Sequence, residues 1–202
     1  MKVKVCGITC YEDAAMALDQ GVDALGFNFY RPSPRYIEPA AARAIIRRLP
    51  PFSVSVGLFV NAVVEEVAEI AAFAGVQVVQ LHGDETPDYC RRLADRPLLK
   101  VLRIGSDSIP NNLQEYPVRA FLLDAKDDAL LGGTGKSFDW RLARTIHYPI
   151  VVAGGLRPDN VREAIRITTP YGVDVCSGVE SRPGKKDAGL LMEFMNEVRH
   201  VS

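Results

Sequence analysis

Val3-Lys4-Val5-Cys6-Gly7-Ile8-Thr9 decides how the rest of the chain is read. A β-type run ends on a thiol and breaks at once at glycine. It then passes into Thr9-Cys10-Tyr11-Glu12, a capping-box pattern that predicts a helix starting there. Strand, tight turn and helix make the opening of a βα unit. A doubly wound nucleotide-binding sheet often carries a glycine-rich fingerprint in its first turn, and Cys6-Gly7-Ile8-Thr9 has no GxGxxG.

The same alternation continues outward from this unit. Strand candidates fall at 2–6, 23–29, 54–59, 76–81, 98–104, 119–124, 149–153 and 172–176. Most are too apolar for a half-exposed antiparallel sheet and read as strands covered on both faces. Between them lie helical patterns. Over 63–74 the stripe is Val63, Val67, Ile70, Ala71 and Ala74; over 187–200 it is Leu190, Leu191, Phe194, Met195 and Val198. Pro158 suits a first helical position ahead of Val161 and Ile165. The segments around 111–116 and 138–145 predict only short helices. Eight strands at about 25 residues per unit predict a single α/β domain over 1–202, a (β/α)8 or TIM barrel. An open doubly wound sheet usually has fewer strands, and no linker or composition shift divides the chain.

The bulk numbers agree. With 48% hydrophobic residues, 24% charged residues and a formal net charge of -1, the chain has no general field for nucleic acid or an acidic membrane surface. No apolar run approaches the roughly 20 residues that span a bilayer. No charged-then-apolar leader opens the sequence, so the expected location is the cytoplasm. Cysteines stand at 6, 10, 90 and 176 without a CxxC, and the histidines at 82, 147 and 200 are scattered. Reduced thiols are expected, with neither a disulfide scaffold nor a zinc site.

In such a barrel the chemistry collects at the C-terminal strand ends. Cys6 stands there as either a buried filler or a base, the latter if positive charge favours its thiolate. The helix expected at Thr9 is one source of that charge. Asp124, after Leu122-Leu123, is either a helix cap or an acid whose pKa is raised by partial burial. Gly154-Gly155 and Ser177-Gly178 follow strands seven and eight. Glycine there serves either backbone turns or a phosphate site. Arg35 is either a solvated loop residue or a bidentate clamp for a carboxylate. Gln80 and His82, two apart, share one strand face, where a substrate-contacting or hydrogen-bonded histidine is favoured over a metal ligand. Gly132-Gly133-Thr134-Gly135-Lys136 lacks nucleotide-loop spacing and reads as a lid over the mouth. Side-chain alternation puts Lys4 on the face of Cys6 and Asp174 on that of Cys176. Closure of the barrel then predicts a Lys4–Asp174 pair inside it.

Taken together, KVCGIT, GFNFYRPSPRYI, VGLFVN, VQLHGDE, LLDA, GGTGKSFDW, VAGGLRPDNV and DVCSGVESRPGKKD resemble, in order and spacing, the phosphoribosylanthranilate isomerase family of tryptophan biosynthesis. That resemblance covers almost the whole chain. It implies a cofactor-free, metal-free Amadori rearrangement of N-(5-phosphoribosyl)anthranilate to 1-(o-carboxyphenylamino)-1-deoxyribulose 5-phosphate. Carried over by motif, Cys6 is the general base and Asp124 the general acid. Arg35 meets the anthranilate carboxylate, and Gly154, Gly155, Ser177 and Gly178 meet the phosphate. The resemblance also implies a monomer more often than a homodimer. Two positions depart from the family pattern: Cys10 stands where arginine or another polar residue is expected, and Cys176 where serine or asparagine is. Neither holds an assigned role, although Cys10 is expected to place a second thiol near the mouth. The rival readings are a related histidine-pathway sugar isomerase, which would carry an aspartate in place of Cys6, and a non-catalytic phosphosugar-binding barrel.

Overall fold

In the computed structural model, which describes residues 1–104, 109–125 and 140–201, eight parallel strands close into a barrel. They are β1 (Lys2–Val5), β2 (Ala24–Asn28), β3 (Val54–Phe59), β4 (Val78–Leu81), β5 (Leu98–Ile104), β6 (Ala120–Ala125), β7 (Ile150–Val152) and β8 (Gly172–Val175). Closure is made by β8 against β1, with Lys4 opposite Asp174 and Val5 opposite Val175. The helices are α1 (Tyr11–Asp19), α2 (Pro39–Ile46), α3 (Val64–Ala74), α4 (Pro87–Arg91), α5 (Val161–Thr168) and α6 (Ala188–Arg199). The weak segments before β6 and β7 form only 3-10 turns, Leu113–Glu115 and Trp140–Thr145. The GGTG segment expected to act as a lid lies outside the described residues.

Alternation along each strand sorts the side chains. Val3, Val5, Val79, Leu81, Phe121 and Leu123 point outward into the main core shared with the helices. Their neighbours Lys4, Cys6, Gln80, His82, Leu122 and Asp124 have the opposite parity. A small separate apolar cluster of Val101, Leu122, Val151 and Ala153 fills part of the interior. Polar groups occupy the C-terminal end.

Three helix starts differ from the sequence expectation. α1 begins at Tyr11 with Cys10 as its N-cap, and no side chain caps it. The Thr9 hydroxyl instead donates to the Gly184 carbonyl at 2.6 Å. Pro158 sits in a turn, and α5 begins three residues later, because the N–H groups of Asn160 and Val161 both bond back to the Arg157 carbonyl. Val63 is an exposed N-cap; Val64 takes its expected place in the core.

A hairpin follows β8. Strand β9 (Glu180–Arg182) pairs antiparallel with β10 (Lys185–Lys186). It is tied to α1 by the Lys186 N–H donating to Asp13 Oδ2 at 2.8 Å and by the Lys185–Asp13 ion pair. This tether folds Glu180 and Lys186 back over the barrel mouth.

Candidate active site

At the C-terminal end of the barrel lies a solvent-open cleft. Cys6, Arg35, Gln80, His82, Asp124, Gly154, Gly155 and Ser177 all line it. Eight of the nine residues picked out by the sequence therefore meet in one place. Gly178 does not face the cleft. A Cβ there would lie 1.9 Å from the Leu156 carbonyl oxygen, so this glycine lets the β8 turn pass under the β7 turn. This close passage brings Ser177 into the same cleft wall as Gly154 and Gly155. The Asn160 amide group donates to the Gly155 carbonyl at 2.9 Å and accepts from the Arg157 N–H at 2.8 Å, which fixes the first of these turns.

On one wall, three side chains form a chain. Gln80 Nε2 stands 3.3 Å from His82 Nδ1, and His82 Nε2 stands 3.1 Å from Asp124 Oδ2. An amide nitrogen only donates, so Nδ1 accepts and the imidazole proton sits on Nε2, aimed at the carboxylate. His82 is thus a partner of Asp124. The Gln80 carbonyl oxygen is buried with no hydrogen-bond partner among the described residues.

Arg35 is not the solvated alternative. Its side chain is 12% exposed and grips Glu180 through Nε at 3.0 and 3.1 Å and Nη2 at 2.7 Å. Gly7, at φ +78, clears room for this arginine. A Cβ there would lie 2.8 Å from Arg35 Cδ and 3.2 Å from Cys176 Sγ. Glu180 also accepts from Lys186 Nζ at 2.8 Å.

Opposite Asp124, Cys6 is buried beside Leu58 and Val60, with Tyr30 and Cys176 packed on them. Apolar burial alone raises a thiol, as it does for Cys90, pushed up to about 11. Cys6 goes the other way and lies well below the usual thiol range. The hydrogen bond from Cys176 is the main cause, helped against burial by the charges of Lys4 and Lys186. Lys4 Nζ donates to Asp174 Oδ2 at 2.7 Å, which bears out the pair expected from alternation, and a Cβ on Gly26 would lie 3.1 Å from this Nζ and 2.9 Å from the Cys6 sulfur, so the two crowd one spot. Burial outweighs Lys4 at Asp174 and pushes that carboxyl from 3.8 up to about 7.

Cys10 does not line the cleft, contrary to expectation. Its sulfur faces Lys185 Nζ at 3.8 Å, and the second thiol beside Cys6 is Cys176. The sequence reading also missed Glu180 and Lys186. Their only signal was polarity, which alone reads as exposure. Among the described residues, no cluster of three His, Cys, Asp or Glu side chains could hold a metal ion, and no helix is long and apolar enough to cross a membrane.

Comparison with known proteins agrees with this geometry. The family model described as N-(5'-phosphoribosyl)anthranilate isomerase matches residues 3–197. The N-(5'-phosphoribosyl)anthranilate isomerase of Trichlorobacter lovleyi is 51% identical over all of this chain and 99% of its own. The crystal structure of the phosphoribosyl anthranilate isomerase of Thermus thermophilus superposes with a TM-score of 0.92, at 36% identity and full coverage of both chains. A solved isomerase in complex with reduced 1-(o-carboxyphenylamino)-1-deoxyribulose 5-phosphate superposes at 0.85, with 38% identity over 99% of each chain. Monomers generated from the dimeric Thermotoga maritima isomerase superpose at 0.84, with 37% identity over 99% of each chain. With a family model over nearly the whole length and a relative about half identical from end to end, the chain belongs to the phosphoribosylanthranilate isomerase family.

Proposed function

We propose that the chain rearranges N-(5'-phosphoribosyl)anthranilate to 1-(o-carboxyphenylamino)-1-deoxyribulose 5-phosphate with Cys6 as general base and Asp124 as general acid. The observation that carries this reading is that a thiol held toward its thiolate and a carboxyl bridged to His82 line a single cleft from different strands. Asp124 gives its proton to the furanose ring oxygen. The C1′–O bond breaks, and the anthranilate nitrogen's lone pair forms an iminium. The positive nitrogen acidifies the C2′ proton, which Cys6 removes, and the resulting enolamine tautomerises to the ketone. Acid and base carried by different strands suit these two transfers.

The substrate has two anionic ends, and the cleft offers a site for each. The turns at Gly154, Gly155 and Ser177 take the phosphate, with Gly178 allowing their close approach. Arg35, oriented by Glu180, takes the anthranilate carboxylate through the face of its guanidinium fork left open. Gln80 and His82 contact the sugar, the unpartnered Gln80 carbonyl accepting from a hydroxyl. Anchoring both ends turns binding energy into orientation of the reacting carbons. The working unit is a monomer in the cytoplasm; sedimentation analysis distinguishes it from a dimer.

Turnover is followed by the loss of substrate fluorescence. Cys6→Ser and Asp124→Asn should each lower kcat by about 100-fold or more, the usual range for an acid or base. Binding of a phosphate-bearing product analogue should change little. Near-normal kcat in either variant would remove that residue's role, and no turnover by folded wild-type protein would remove the reading altogether.

A further inference from the structure

Asp174 is a buried carboxyl that the acid and base steps above do not use. Its neighbours on β8, Val173 and Val175, turn outward into the main core, so it points into the barrel. It is 7% exposed and lines the same cleft as Cys6, Asp124 and Ser177. One of its oxygens is accounted for: Oδ2 accepts from Lys4 Nζ at 2.7 Å. The other, Oδ1, is buried with no hydrogen-bond partner among the described residues. Buried polar atoms are nearly always paired, and an exception in the wall of a cleft points to a group that the ligand supplies.

The surroundings say which group. A carboxyl disfavours the substrate's anionic ends, and the cleft has its glycine turns and Arg35 for those. Burial pushes Asp174 up to about 7, so ionised and protonated forms coexist near neutrality. With Oδ2 held by Lys4, Oδ1 accepts in the first form and donates in the second. A hydroxyl does both, so it pairs with Oδ1 in either state. The sugar carries several hydroxyls, and position selects one of them. Lys4 holds Asp174, and a Cβ on Gly26 would lie 3.1 Å from Lys4 Nζ and 2.9 Å from the Cys6 sulfur. Asp174 is thus the carboxyl on the Cys6 side of the floor, and Cys6 works at C2′. Gln80, whose carbonyl oxygen is also unpartnered, stands on β4, four strands round the barrel from β8. It reaches the sugar from the far wall.

We infer that Asp174 is a further substrate-contacting residue: its unpartnered Oδ1 forms a hydrogen bond with the C2′ hydroxyl and so holds that carbon with its hydrogen toward Cys6. The hydroxyl and the hydrogen that Cys6 removes share one carbon, so fixing the first orients the second. No proton passes to or from Asp174 in this role. The inference rests on the proposed reaction, and the experiment separates the two.

The probe is reduced 1-(o-carboxyphenylamino)-1-deoxyribulose 5-phosphate, which carries a C2 hydroxyl in place of the ketone. It is compared with analogues lacking the C2 or the C3 hydroxyl. Titration calorimetry gives the Kd of each for wild type, Asp174→Asn and Asp174→Leu. The wild type should lose about tenfold or more in affinity with the C2 hydroxyl, the worth of one hydrogen bond to a charged group. Asp174→Asn keeps a polar atom in the place of Oδ1 and should retain part of that preference. Asp174→Leu should bind the ligands with and without the C2 hydroxyl equally. Loss of the C3 hydroxyl should cost wild type and Asp174→Leu alike. A merely structural disturbance would weaken every ligand by one factor and leave these ratios unmoved. If Asp174→Leu does not fold because Lys4 is stranded, Lys4→Met/Asp174→Leu removes both charges and takes its place. A wild type indifferent to the C2 hydroxyl, or equal losses in wild type and Asp174→Leu, would overturn the inference while Cys6 and Asp124 kept their roles. Failure of the wild type to bind the reduced product at all would instead overturn the reading on which it rests.

Discussion

The buried Asp174 makes a prediction about stability that runs against ordinary acid denaturation. Its carboxyl titrates near 3.8 in an unfolded chain and at about 7 in the fold, where burial and the nearby negative charges of Cys6 and Asp124 outweigh Lys4. Between about pH 4 and pH 7 the unfolded chain has lost this proton and the folded one keeps it. The folded state then binds more protons, so stability falls as pH rises through that window. The stabilising contribution is fully present below pH 4 and has gone once pH passes about 7. At about 1.4 kcal/mol for each pH unit, the window of roughly three units corresponds to on the order of 4 kcal/mol. Asp174 is only 7% exposed, so solvent screening takes little from this figure. Asp174→Asn resembles the protonated side chain at every pH and should lack the dependence. Urea unfolding of wild type and variant at pH 4.5 and pH 8, with unchanged m-values, isolates the term, because the other carboxylates cancel in the difference. The variant should gain most of those 4 kcal/mol on the wild type between the two pH values. A difference that stays constant would show that Asp174 is ionised throughout, and that Lys4 at 2.7 Å outweighs burial.

Three further substitutions test the site's supports and the core. Glu180→Gln loosens the grip on Arg35 and on Lys186; the KM for substrate should rise about tenfold or more, the worth of one or two charge-assisted hydrogen bonds, with a smaller change in kcat. An unchanged KM in steady-state assays would count against Arg35 as the oriented clamp. Gly178→Ala drives a methyl against the Leu156 carbonyl, so the β7 and β8 turns must separate; thermal unfolding should register a loss of about 1–3 kcal/mol or more, and inhibition by inorganic phosphate should weaken. Full retention of both would show that the turns move apart freely. Phe121→Ala empties a fully buried position where two rings, Tyr116 and Tyr148, meet it edge-on, and should cost about 3–5 kcal/mol in denaturant unfolding; a loss below about 1 kcal/mol would mean that the barrel wall collapses into the void.

Every strand expected from sequence is present, with ends displaced by no more than two residues, because burial on both faces leaves runs too apolar to be anything else. Strand parity also carried into the site. It put Gln80 beside His82, and, with closure, Lys4 against Asp174. What parity could not reach are contacts made by segments with no period. Thr9 looked like a cap, but its hydroxyl is taken by Gly184, 175 residues away. Arg35 looked like a solvated loop residue because nothing near it in sequence holds it, whereas Glu180 arrives from a hairpin 145 residues on. Cys176 stood in the sequence only as a departure from a family pattern. Its place beside Cys6 comes from the register of β1 on β8.

The same seam explains how two buried cysteines come to differ. Cys90 and Cys6 are the same residue type and both are buried, yet burial drives one thiol up to about 11 while the other is held well below the ordinary range. The difference is what faces the sulfur. Lys4 is one cation within reach of two acids, Cys6 and Asp174, and it can fully compensate only one negative charge. A carboxyl that is ordinarily ionised is pushed toward neutrality, and a thiol that is ordinarily neutral is drawn toward ionisation. Each proton that stays on Asp174 leaves more of the Lys4 charge for Cys6. Cys6 and the buried aspartate are therefore linked through a single lysine, so titration of Asp174 near neutrality modulates the ionisation of Cys6.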